Sequence, residues 1–148
     1  MNYKALLKNI KRLKRFSETD EQFILHKAMI THGCYRDSVF KTTMQQATEL
    51  YDRIRRDGIF REMYHGALAA LRKMGQDGVL LVKWYAGDRQ KVIAEYQVSK
   101  RTMYRRVNAA EAVFENNMRR LGFDDEWFVA TLGDLCQSGG QKEAQLYL

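Results

Sequence analysis

The sequence predicts an all-α protein, and three observations carry that prediction. Proline, which ends helices and punctuates β-rich loops, is absent from all 148 residues. No sustained run alternates apolar and polar residues in the manner of a half-buried strand. Apolar residues instead recur at steps of three and four in segment after segment, which is the period of one helix face.

Taken in order, residues 3–16 place Leu6, Leu7, Ile10, Leu13 and Phe16 on one stripe. Residues 20–31 start behind a capping pattern in which Thr19 precedes Gln22 by three. Residues 38–56 space Phe40, Met44, Ala47, Tyr51 and Ile54 at alternating steps of four and three. Residues 59–74 put Phe60, Met63, Tyr64, Ala67, Leu68 and Leu71 on one face. The segment "VLLVKWYA", 79–86, is apolar nearly all round and is expected to be a short buried helix, with Trp84 and Tyr85 in the core. Helices over 88–96, 99–121 and 125–136 follow, the last behind Asp124, Asp125 and Glu126 as cap and first turn. Gly33, Gly58, Gly75, Gly87 and Gly122 each follow a helix-like segment, where a left-handed C-terminal turn favours glycine. The ending "QSGGQKEAQLYL" has no periodicity and reads as flexible. The predicted organisation is a helical N-terminal portion over 1–58, a helical domain over 59–136 and a tail over 137–148.

Composition narrows the function classes. An apolar fraction of 45% is enough for a core, and a net charge of +7 favours an anionic partner, nucleic acid or membrane surface, or serves solubility alone. No apolar run approaches the ~20 residues that span a bilayer. Lysines interrupt "NYKALLKNIKRLKRF", so neither a signal-peptide core nor a membrane partner is expected. Cys34 and Cys136 form no disulfide framework, and the expected location is the cytoplasm. Charge is uneven along the chain. Residues 1–16 hold six cations and no acid, residues 83–106 hold seven cations and two acids, and residues 111–148 hold three cations and seven acids.

The stretch "RQKVIAEYQVSKRTMYRRVNAA" sits in the second of these regions. It offers a first helix over 88–96, a turn of Tyr96, Gln97 and Val98 with the two apolar residues facing inward, and Ser99 as N-cap of a second helix. On a helical wheel, Met103, Val107, Ala110, Phe114 and Leu121 fall on one stripe and are expected to pack inward. Arg101, Tyr104, Arg105 and Asn108 fall opposite, and these are side chains able to bond base edges in a major groove. Ser99, Lys100, Thr102 and Arg106, with Arg89 and Lys91 on the first helix, are the candidates for phosphate contact. A charge run is more often a solvated face, but here cap, turn, apolar stripe and cationic outer face share one short window.

On those residues the segment "GVLLVKWYAGDRQKVIAEYQVSKRTMYRRVNAAEAVF" resembles region four of bacterial sigma factors. It is more similar still to the ArpU-like regulators of phages and mobile elements, which carry an "xIAExxxVSxRTxYRR" core. The matching residues are Ile93, Ala94, Glu95, Val98, Ser99, Arg101, Thr102, Tyr104, Arg105 and Arg106, and the resemblance covers about 59–121. It implies a sigma region-four-like helix-turn-helix domain acting on transcription. The sequence departs from that pattern in the turn. "IAEYQVS" is one residue shorter, Gln97 stands where glycine is expected, and Ile93 takes the position that is normally small.

Other sites are weak. His26, His32 and Cys34 lack the tight paired spacing of a zinc site, so no metal or cofactor is expected. There is no glycine-rich phosphate loop and no nucleophile with a local signature, so no enzyme is expected. The basic helix 3–16 could grip phosphates or lie on an anionic membrane, but its stripe is expected to be core. Three functional readings stay open. The first is a sequence-specific regulator on double-stranded DNA, held there as a homodimer or by RNA polymerase. The second is a phage terminase small-subunit-like packaging protein, which a stable high-order ring would favour. The third is a protein-interaction module with a basic face, which an absence of salt-sensitive DNA binding would favour.

Overall fold

A computed structural model describes residues 2–18, 43–137 and 142–148. Among them there is no strand, and eight helices follow one another: α1 Tyr3–Lys8, α2 Ile10–Ser17, α3 Thr43–Lys73, α4 Gln76–Ala86, α5 Arg89–Tyr96, α6 Lys100–Arg120, α7 Asp125–Gln137 and α8 Lys142–Gln145. None is long and apolar enough to cross a membrane. The helix expected over 20–31, His26, His32, Gly33, Cys34 and Phe40 lie outside the described residues.

The chain divides into two compact units, one of residues 1–12 and 65–148, the other of residues 13–64. The predicted boundary at 58/59 falls inside α3, a continuous helix of 31 residues. Gly58 therefore ends nothing. An interior glycine costs a helix only about 0.5–1 kcal/mol, and in the unit of residues 13–64 Ile59, Phe60, Met63 and Tyr64 are buried just beyond it. Phe16 of α2 meets Phe60 at 5.2 Å between ring centroids. The stripe read over 38–56 is not a buried face at its described positions. Met44 is 75% and Tyr51 66% exposed.

In the larger unit, α1 is capped by Asn2, whose Oδ1 accepts the Ala5 N–H at 3.0 Å. The predicted single helix over 3–16 is broken at Asn9. Its Nδ2 donates to the Ala5 carbonyl at 2.8 Å, a local bond that competes with helix continuation. Each residue of the stripe is buried, Leu6, Leu7 and Ile10 in this unit and Leu13 and Phe16 in the unit of residues 13–64. The Tyr3 hydroxyl donates to the Phe123 carbonyl at 2.9 Å, and the Asn2 N–H donates to the Tyr147 carbonyl at 3.0 Å. The tail read as flexible accordingly ends in order. It carries α8, which packs on α7, and it buries Ala144 and Tyr147.

Helix α4 is the centre of this unit and packs against α1, α5 and α6. It starts at Gln76, earlier than predicted, and buries Leu80, Leu81 and Trp84, while Val79 is exposed and Tyr85 only half-buried. It is thus one-faced rather than buried all round. Gly78 lets α4 approach the end of α3 closely. A Cβ there would lie 2.3 Å from the Leu71 carbonyl oxygen.

Helix α6 buries Met103, Val107, Ala110, Phe114 and Met118. The expected Leu121 is not part of that stripe and is 36% exposed. The helix has ended by then. Gly122 takes φ +92°, its N–H bonds the Arg119 carbonyl, and the Phe123 N–H bonds the Met118 carbonyl. This is a Schellman end, which throws Leu121 outward and lets Met118 and Phe123 close the stripe. Asp124 then caps α7, accepting the Trp127 N–H at 2.9 Å. Phe128 is buried and meets Tyr3 at 6.2 Å, so it covers the end of the core, with Trp127 half-buried beside it.

Candidate nucleic-acid interface

Helices α5 and α6 and the turn between them are fixed by local chemistry. Asp88 caps α5, its Oδ1 accepting the Gln90 N–H at 2.9 Å. Val92 is the residue of α5 that is buried. Gln97 closes the helix at φ 52°, ψ 39°, the left-handed region, and is the one non-glycine residue with positive φ among the described residues. The turn therefore keeps the left-handed residue that glycine usually supplies. Ser99 opens α6 as predicted, its Oγ accepting the Thr102 N–H at 3.2 Å and donating to Thr102 Oγ1 at 2.9 Å. Tyr96 and Val98 are half-buried.

The wheel of α6 is bipartite. Opposite the buried stripe, Lys100, Arg101, Tyr104, Arg105, Arg106 and Asn108 are exposed. They are not equally available. Among the described residues, Lys91, Lys100, Arg101 and Arg105 have no side-chain partner. Arg106 is engaged: its Nε and Nη2 each donate to Asp77 Oδ1 at 3.4 Å, and its Cζ sits 5.3 Å from the Tyr96 ring centroid. Tyr104 is 38% exposed because its ring stands edge-on to buried Trp84, 5.2 Å away. Arg89 lies over the same indole at 5.0 Å. Ser99 and Thr102 spend part of their bonding on the cap.

Three carboxylates shape the surroundings. Glu95 Oε1 meets Lys83 Nζ at 2.5 Å, and that hydrogen bond raises the lysine pKa above its ordinary value. Asp77 meets Arg106 as above. Glu111 accepts from the Tyr85 hydroxyl, and its other oxygen lies 3.4 Å from Lys4 Nζ of α1. Burial, with that hydrogen bond second, pushes the Tyr85 phenol well above its usual range. Of the seven cations between 83 and 106, Lys83 and Arg106 thus face acids, which leaves positive charge concentrated on the first two turns of α6 and on Arg89 and Lys91.

Sequence reasoning missed these partners. Asp77 lies 29 positions before Arg106, and no local spacing links them. The role of Trp84 as a shared platform for Arg89 and Tyr104 was equally invisible, although its burial was expected. No known protein family, curated protein or solved structure matches the chain.

Proposed function

We propose that this chain binds specific double-stranded DNA through a helix-turn-helix formed by α5, the turn 97–99 and α6, and that it regulates transcription. The observation that carries this reading is the two-sided α6. One face is buried through Met103, Val107, Ala110 and Phe114, and the other presents Arg101, Arg105 and Asn108, all exposed. Guanidinium and carboxamide groups are the side chains that bond guanine and adenine edges bidentately. Here Arg101 and Arg105 are left without partners among the described residues, while Arg106 is not.

Within this reading, Arg101, Arg105 and Asn108 read bases, with Tyr104 at the edge of the set because it leans on Trp84. Lys100 and Lys91 hold phosphates, and Arg89 is pre-positioned for one by its indole. The motif alone spans few base pairs, so specificity calls for a partner, either a second copy of the chain or RNA polymerase. Selection from random duplex DNA with the purified full chain tests the function. A single enriched sequence, bound with strong salt dependence, is expected. Enrichment of nothing above background would refute DNA reading and favour the protein-interaction role.

A further inference from the structure

The Arg106–Asp77 pair lies inside the proposed interface, and one guanidinium there touches two other elements. Asp77 belongs to the first turn of α4, and Tyr96 ends α5. The two charged side chains are 42% and 48% exposed, so the pair is open to solvent and to an incoming anion. A carboxylate and a DNA phosphate offer a guanidinium the same thing, negatively charged oxygens within hydrogen-bond reach. We propose that Asp77 is a built-in competitor for the phosphate backbone, holding Arg106 in the free protein and yielding it to a phosphate when α6 enters the groove. The inference rests on the DNA-binding reading of α5 and α6.

The exchange has a distinctive ionic signature. When a free cation reaches a phosphate, the counterion released from DNA gives binding its salt dependence. When Arg106 leaves Asp77 for a phosphate, a carboxylate is uncovered and gathers a cation of its own. Release and uptake then nearly cancel. Arg106 adds little to sequence-independent affinity, whereas the unpaired Lys91, Lys100, Arg101 and Arg105 contribute in full. Asp77 thereby lowers binding to all duplex sequences alike and leaves base reading by Arg105 untouched, so it sets the overall affinity and its salt dependence rather than the preference among sequences.

The test is the affinity of the full chain for a random-sequence duplex between about 50 and about 200 mM salt. It compares the wild type, Asp77→Asn, Arg106→Ala and the double variant, each checked for unchanged thermal melting. Asp77→Asn is expected to bind about two- to fivefold tighter at low salt, the scale of an exposed ion pair. Its log–log salt slope should steepen by about 0.9, one phosphate contact. Both effects should vanish in the Arg106→Ala background. An unchanged slope, weaker binding by Asp77→Asn, or the same gain without Arg106 overturns the competition. If the wild type binds duplex and only these differences are missing, the DNA reading stands. If the wild type binds no duplex at any salt, both fall.

Discussion

Gln97 holds a backbone conformation that its side chain disfavours. At φ 52° its Cβ crowds the following carbonyl, a strain of roughly 1–2 kcal/mol for a non-glycine residue. Glycine loses more entropy on folding but has no Cβ, so Gln97→Gly is expected to stabilise the fold by about 0.5–1 kcal/mol net. A thermal melt with a midpoint unchanged or lowered would show that the turn relaxes in another way. The sequence flagged this position, because glycine was expected there. It could not say whether the shortened turn would keep a left-handed residue or rearrange. Side-chain pairing was less legible. The outward positions of Arg101, Arg105 and Asn108 follow from the wheel alone, but the engagement of Arg106 by Asp77 and of Tyr104 by Trp84 depends on how α4 crosses α6.

Among elements, α6 is legible in the sequence because its signals are local and agree with one another. Ser99 caps it, and apolar residues recur at steps of three and four as far as Phe114. Phe114 is fully buried, so Phe114→Ala is expected to cost about 3–5 kcal/mol, as buried aromatic truncations do. Chemical denaturation gives that value directly, and a loss below about 1 kcal/mol would mean the stripe faces water. The far end was misread for a physical reason. The wheel carried the stripe to Leu121, but the left-handed Gly122 stops the helix first and Met118 fills the place. Gly58 misled in the opposite sense, since a lone glycine inside a 31-residue helix marks no boundary. Asn9, an ordinary helix residue by periodicity, does mark one, through its bond to Ala5.

For the whole molecule, charge and apolar surface separate along the chain. Cations gather at α1–α2 and α5–α6, while acids dominate after residue 111. The stripe in α1 and α2, Leu6, Leu7, Ile10, Leu13 and Phe16, is buried. Met44 and Tyr51 on α3 remain exposed. On that surplus surface the proposed partner is a second copy of the chain in preference to RNA polymerase, since two-fold pairing doubles the footprint of a single motif. Light scattering coupled to size exclusion is expected to give about twice 17.4 kDa in the micromolar range. The selected site should then be palindromic, with half-sites about one helical turn apart. A mass of 17.4 kDa throughout would transfer the partner role to the polymerase, and a large ring would favour the packaging reading.

Base reading by α6 is the claim on which the functional account turns, and Arg105→Ala addresses it most directly. Its affinity for the selected site and the sequence preference at each base of that site are compared with those of wild type and of Lys100→Ala. Arg105→Ala is expected to lose about 1–3 kcal/mol at the selected site and to relax preference at one position. Lys100→Ala, at a position assigned by the proposal to phosphate alone, should weaken all sequences alike. Wild-type affinity and wild-type selectivity in Arg105→Ala would contradict the placement of α6 in the major groove.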